Sequence, residues 1–386
     1  MKRREFLNLL AISGLGLAGS ASLGRVLADD VEELSTQYPV PTNTGITGKI
    51  VIVGGGMAGA TLAKYLRLWG GNGVDVTLIE MAPSYTSNIM SNTVLTGQRT
   101  MATLKYAYGT LTGHYGVKLI QARVTAIDAS SKSVIYDGGT VSYDRLVLAP
   151  GLQFDLMPGM SSLDQYETLI PHAWQAGGQT ELLRGQLVNM ANGANVVITI
   201  PKSPYRCPPG PYERACVIAD WLKTNKPGSK VIVLDANPDI LVEKDNFAAA
   251  FGGLHGYVVD YRPGCTVTNV DVASKTVTFS QGETTGLTLT SGVLNPIPPQ
   301  RAPQLLKDAG LLNASPDAQG INRFAGVNVL SYESTVAGKS NIHIIGDASH
   351  TTQPKAGHVA NQEAKTCADA ILRRLLGLPL DENVVT

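Results

Sequence analysis

The sequence predicts an α/β chain of two Rossmann-like dinucleotide-binding domains, the first of them discontinuous. Three observations carry this reading: a glycine-rich turn between two apolar strands near residue 54, a second strand–helix–strand unit over 194–237, and a late apolar strand that ends in Gly346-Asp347. Length and composition agree with it. The 386 residues are 44% hydrophobic and 16% charged, enough for two or three domains with a large core. The formal net charge is zero and no block of like charges occurs, which excludes the electrostatic footprint of a nucleic-acid binder. Four cysteines, at 207, 216, 265 and 367, are too few and too scattered for a disulfide scaffold or a zinc site.

The first unit is "KIVIVGGGMAGATLAKYLRLWGGNGVDVTLIE", a strand, a glycine turn, an amphipathic helix and a strand ending in an acid. Gly54 suits the tight turn, Gly56 the close approach of a diphosphate, and Gly59 the packing of helix on strand. Glu80, some 20 residues on, stands where a carboxylate accepts from a ribose hydroxyl. Two further stretches are "YDRLVLAPG" (143–151), running into Ala149-Pro150-Gly151, and "NIHIIGDAS" (341–349). With the glycine turn they resemble the three FAD contacts of the two-dinucleotide-fold flavoprotein disulfide reductases. That resemblance implies that Asp347 bonds the ribityl chain. It also implies that a helix starting near Gly357 directs its positive end at the flavin.

The second unit comprises "ANVVITI" (194–200), the helix "ERACVIADWLKTN" (213–225) and "KVIVLDAN" (230–237). Its topology suits a nicotinamide domain, but its first turn reads "PKSPYRCPPGPYER". Pro208, Pro209 and Pro211 have no N–H to donate, so this turn is no amide cradle for a diphosphate. A cysteine turn stands where a phosphate turn belongs, and nicotinamide binding is disfavoured.

From about residue 47 to 373 the chain resembles the flavoprotein subunit of flavocytochrome c sulfide dehydrogenase, a relative of the sulfide:quinone oxidoreductases. The stretches that carry the resemblance are "IPHAWQAGGQT" (170–180), "YRCPPGPYERA" (205–215), "LNPIPPQRAP" (294–303) and "GDAS" (346–349). It implies that Cys207 is half of a redox-active disulfide over the flavin, with Glu213 close by. It implies that sulfide is oxidised to sulfur or polysulfide, and that electrons pass one at a time to a cytochrome c subunit. The family's typical member links FAD through a cysteine at the position of Asn88, so FAD is expected to bind here without a covalent bond. The family also continues into a segment that carries the second redox cysteine, and this chain is expected to stop where that segment starts.

The expected organisation begins with an export signal at 1–28 and a linker at 29–46. The FAD-binding domain follows in two segments, 47–160 and 302–373, with the second Rossmann-like domain inserted between them at 161–301. Residues 374–386 are expected to start a shortened C-terminal segment. The alternatives are a quinone- or NAD(P)H-linked flavin oxidoreductase, and a non-catalytic, shortened FAD-binding chain. No metal site and no stable membrane span are expected.

A leaving thiolate at Cys207 needs local stabilisation. The helix start after the proline turn, with Arg206 and Arg214, is expected to supply it and to lower the pKa of a free, accessible thiol, while Glu213 moves the proton. Cys216 is expected on an apolar helix face, Cys265 at a strand start, and Cys367 deep in the flavin helix. The N-terminus "MKRREFLNLLAISGLGLAGSASLGRVLA" resembles a twin-arginine export signal, with Arg3-Arg4 before an apolar run too short to span a membrane. The mature protein is therefore expected in the periplasm.

Overall fold

The apolar runs become parallel strands, which a computed structural model describes over residues 41–382. The expected export signal and most of the expected linker lie outside the described residues. In chain order the strands are β1 Gly48–Val53, β2 Val74–Glu80, β3 Lys118–Gln121, β4 Arg145–Leu148, β5 Val196–Ile200, β6 Val231–Asp235, β7 Val259–Arg262, β8 Val293–Pro296 and β9 Ile342–Ile344. They form a five-stranded sheet in the order β9-β4-β1-β2-β3 and a four-stranded sheet in the order β7-β6-β5-β8. Every neighbouring pair in both is parallel. Strand β9 joins the first sheet after the chain has completed the second, so the first unit is discontinuous as expected. Both sheets are covered on two faces, and this is why their strands read as continuous apolar runs.

Four helices matter for the site: α1 Met57–Gly70, α2 Gly178–Asn189, α3 Gly210–Asn225 and α4 Gly357–Leu375. Helices α1 and α4 share one face of the first sheet, where Leu62 and Leu66 meet Ala364, Ala368 and Ile371 in a single core cluster. Small residues let them approach: a Cβ on Gly70 would lie 2.6 Å from Leu372 Cδ2. The opposite face carries an antiparallel sheet of Val124–Asp128, Ser133–Tyr136 and Gly139–Ser142. In the second unit, Ala215, Ile218 and Leu222 of α3 pack on Ile198 and Val233.

Helix α3 begins at Gly210, three residues before the expected start, because Pro211 is tolerated and pre-organised in a first helical turn. The last residues of the linker are pinned to the end of α1: Asn72 N–H donates to Thr42 O at 2.9 Å, and the Thr44 hydroxyl donates to Gly70 O at 2.5 Å. Among the described residues no helix is long and apolar enough to cross a membrane.

Candidate functional site

The β1–α1 turn has the geometry its glycines require. Gly54 has φ +99°, donates to Ile79 O at 2.9 Å, and would place a Cβ 2.3 Å from Ala149 O. A Cβ on Gly59 would lie 1.9 Å from Gly54 O, so helix and strand meet there backbone to backbone. Gly56 differs: nothing but the edge of Tyr85, at 3.9 Å, approaches the position of its Cβ. Its backbone faces open space at the start of α1. Glu80 reaches back to the turn, accepting from Gly55 N–H at 2.6 Å and from Ala82 N–H at 2.8 Å. Tyr108, not singled out from the sequence, closes the turn by donating to Gly55 O at 3.0 Å.

Strand β4 delivers the second contact. Ala149 N–H donates to Val53 O at 2.8 Å, and Gly151, with φ +72°, turns the chain away. Beside it Ile345 N–H donates to Leu148 O at 3.1 Å, which brings Gly346-Asp347 to the same sheet end. Gly346 has φ +71°, and its N–H donates to Glu363 Oε2 of α4 at 2.5 Å. Glu363 is 4% exposed, and burial pushes its carboxyl up to about 7. Lys355 donates to Asp347 O at 2.8 Å and Ser349 O at 2.6 Å, and burial pulls its ammonium down to about 8. Helix α4 starts at Gly357 as expected. A Cβ there would lie 2.7 Å from Ile89 Cδ1, so the stretch holding Asn88 borders the helix start. The Asn88 side chain accepts from Ala176 N–H at 2.8 Å.

The cysteine turn docks on this loop. Cys207 N–H donates to Lys355 O at 2.7 Å, and the Arg206 guanidinium pairs with the Asp347 carboxylate at 3.3 Å. Cys207 has φ +55°, a sparsely populated backbone state for a residue with a side chain. It is held by the Lys355 bond, by Gly210 N–H donating to Cys207 O at 2.8 Å, and by Gln300 Oε1 and Trp174 Nε1 on the two sides of Arg206. The sulfur lies over the first residue of α3: a Cβ on Gly210 would be 2.9 Å from Sγ and 2.8 Å from Trp174 Cη2.

One expectation is corrected here. The Cys207 pKa is raised, not lowered. Burial is the largest cause and the Glu213 charge the second, and together they outweigh the Gly210 N–H, Arg206 and Arg214. The thiol is also only partly exposed.

Glu213 stands in the first turn of α3, where Asn92 Nδ2 donates to its Oε2 at 3.2 Å. Arg214 matters more than the sequence suggested. It is 1% exposed, and its donors go to Asn92 Oδ1 (2.9 Å), His172 O (2.7 Å), Asn295 Oδ1 (2.9 Å) and Ala173 O (2.6 Å). The stretches 170–180, 205–215, 294–303 and 346–349, far apart in sequence, therefore meet in one place. The other cysteines do not join them. Cys265 and Cys367 are buried, Cys216 is half-buried against the α3 core with its thiol pushed up to about 11, and all four thiols are free.

The residues present fit a flavin dinucleotide. The open backbone at Gly56, the acid at the end of β2, the Gly346-Asp347 turn and the start of α4 lie around one sheet end, and no bulky side chain fills the Gly56 approach.

Comparison with known proteins agrees. Residues 48–186 match the pyridine nucleotide-disulphide oxidoreductase family, and residues 180–298 match the family described as sulfide dehydrogenase (flavocytochrome c) flavoprotein chain, central. Among solved structures, the sulfide:quinone oxidoreductase of Aquifex aeolicus matches at 19% identity and TM-score 0.71, over 86% of this chain and 78% of that one. The putidaredoxin reductase–putidaredoxin complex matches at 23% and 0.64, over 87% and 77%. A NAD-dependent persulfide reductase from A. fulgidus matches at 16% and 0.63, over 84% and 59%. The fold is thus that of the two-dinucleotide-fold flavoproteins, and residues 48–186 match the pyridine nucleotide-disulphide oxidoreductases, a family that implies flavin binding. Within that class, the resemblance to the flavoprotein chain of flavocytochrome c sulfide dehydrogenase holds, carried by the match over the second unit.

Proposed function

We propose that this chain is the FAD-bearing subunit of a periplasmic sulfide dehydrogenase, exported folded, which takes two electrons from sulfide and passes them singly to a cytochrome c subunit. The observation that carries the reading is the docking of the cysteine turn on the Gly-Asp loop, through Cys207 N–H on Lys355 O at 2.7 Å and Arg206 on Asp347 at 3.3 Å. A strained cysteine is held against the loop that the family resemblance assigns to the flavin, and this supports the reading. Gly54, Gly56, Gly59, Glu80, Ala149, Gly151, Gly346, Asp347 and the start of α4 at Gly357 hold the FAD, non-covalently because Asn88 has no thiol. Bound FAD supplies a two-electron acceptor. Cys207 meets the substrate sulfur. Converting hydrosulfide to zero-valent sulfur releases two electrons and one proton, and Glu213, steadied by Asn92, takes that proton. The partner subunit brings the haem.

Anaerobic titration of the FAD-loaded protein with sulfide tests the reading. The flavin absorbance should bleach in the wild type and stay oxidised in Cys207→Ser, with FAD bound in both. Bleaching at the wild-type rate in Cys207→Ser, or none in the wild type, refutes it.

A further inference from the structure

We infer that Arg214 is a positioning residue whose buried guanidinium charge stabilises the Cys207 thiolate, an inference that rests on Cys207 being the reactive sulfur. All four acceptors of Arg214 are neutral: two backbone carbonyls and the amide oxygens of Asn92 and Asn295. Among the described residues no carboxylate forms an ion pair with it. A buried charge solvated only by dipoles is costly, and it favours any anion placed within reach of its field. The anions that act on Arg214 are Cys207 and Glu213. They oppose the burial that pulls its pKa down to about 9, so it stays charged at neutral pH.

The geometry puts that charge behind the sulfur. The Arg214 Cζ lies 4.6 Å from the Trp174 ring centroid, and the far edge of the same ring borders Gly210 beside Cys207 Sγ. The guanidinium stacks on the indole face, and the thiol lies by the outer edge of the same indole. Arg206 also faces Cys207, but its guanidinium is already paired with Asp347. Of the groups that favour the thiolate the Gly210 N–H acts most strongly, then Arg206 and then Arg214. Lys355 presents its backbone oxygen and spends its ammonium on Asp347 O and Ser349 O, and the Tyr205 hydroxyl bonds Pro208 O. His172 is neutral, because burial, Arg214 and Arg206 hold its pKa down to about 3. Glu213 disfavours the thiolate. Among the described residues, Arg214 and Lys355 are the cations near the turn that form no ion pair with a carboxylate, and of the two Arg214 is the one stacked on the indole that borders the sulfur, while the Lys355 ammonium turns to the Gly-Asp loop.

The test is the pH profile of Cys207 alkylation by iodoacetamide, followed by peptide mapping on the FAD-loaded protein. The variants are Arg214→Lys, Arg214→Gln and Asn295→Asp. The last keeps Arg214 but sets a carboxylate against the guanidinium and withdraws the Asn295 Nδ2 bonds to Pro171 O and His172 O, so its circular dichroism and flavin content are matched to the wild type first. Arg214→Gln and Asn295→Asp should raise the labelling midpoint by about one pH unit, or roughly tenfold slower labelling at neutral pH, and Arg214→Lys should stay near the wild type. A wild-type midpoint in Asn295→Asp, or an equal shift in Arg214→Lys and Arg214→Gln, overturns the inference. Asn295→Asp decides even where Arg214→Gln fails to fold. Sulfide bleaching is read separately. Its absence in the wild type refutes the proposed reaction and leaves the alkylation result standing.

Discussion

Replacing Glu363 with glutamine asks what holds the Gly-Asp loop in place. Glu363 is buried on α4 and is the acceptor for Gly346 N–H at 2.5 Å. Burial raises its pKa from 4.5 to about 7, against the opposing pull of that N–H and of Lys355. A folded-state value above the unfolded one favours the protonated form on folding. Its contribution is therefore fully present below about pH 4.5 and is lost as the pH rises through about 7. The rise from 4.5 to about 7, at about 1.4 kcal/mol for each pH unit, sets a ceiling of about 3.5 kcal/mol. Glutamine keeps an acceptor oxygen for Gly346 and drops the charge. Some of the gain is offset, because Lys355 loses a favourable neighbour. Glu363→Gln should thus match the wild type near pH 4.5 and exceed it by about 1–3 kcal/mol above pH 7, a rise in Tm of roughly 2–6 °C. Thermal denaturation by circular dichroism, without added cofactor, from pH 4.5 to 8 measures this. Lys355 enters the comparison only at the top of this range: its own contribution is present above pH 10.5 and lost as the pH falls through about 8, and loss of the Glu363 charge moves that value lower. Parallel curves for the two proteins, or a less stable variant above pH 7, would refute the reasoning.

Three more outcomes follow from the same geometry. Acid precipitation should release yellow flavin into the supernatant, because Asn88 offers only an amide, already bonded to Ala176 N–H; flavin kept in the pellet would show a covalent link. NADH and NADPH should fail to bleach the flavin in anaerobic stopped-flow mixing. The second unit's turn is proline-rich, and Asp235, the acid at the end of β6, is fully buried, with Tyr212 and Tyr261 donating to it at 2.7 and 3.0 Å and Asn237 N–H at 2.9 Å. Rapid bleaching by either nucleotide would overturn that. Gly59→Ala should cost several kcal/mol or prevent folding, since its Cβ would meet Gly54 O at 1.9 Å, whereas Gly56→Ala should fold and retain flavin about tenfold less well. Melting curves and flavin content of the two variants check the contrast, and equal behaviour would contradict it.

What the sequence made legible is what depends on local rules. Continuous apolar runs and glycine spacing located β1, α1, β2 and the Gly346-Asp347 turn, because a helix period, a strand ending in an acid and a residue with positive φ are each encoded within a few neighbours. The pKa direction at Cys207 was not local. The helix start and the two arginines are visible in "YRCPPGPYER" and argue for a lowered value, but the deciding cause is burial by Trp174 and by the loop at Lys355, which come from elsewhere in the chain. Lys355, Asn92 and Tyr108 left no signal of their own. Glu363 did leave one: a carboxylate between Ala360, Ala364 and Cys367 on the buried face of an amphipathic helix needs a partner, and Gly346 N–H is that partner.

Arg214 also accounts for why distant stretches act as one site. Its four bonds draw on residues 92, 172, 173 and 295, from a short helix of the first unit, the loop before α2 and strand β8. A buried guanidinium tolerates no missing acceptor, because each unpaired donor carries its full desolvation cost. The side chain thus fixes the "IPHAW" loop, Asn92 and Asn295 against the helix that begins beneath Cys207. Asn92 spends its remaining donors on Gly210 O and Glu213 at 3.2 Å each, so the same few bonds set the cysteine turn, the acid beside it and the seam to the flavin unit.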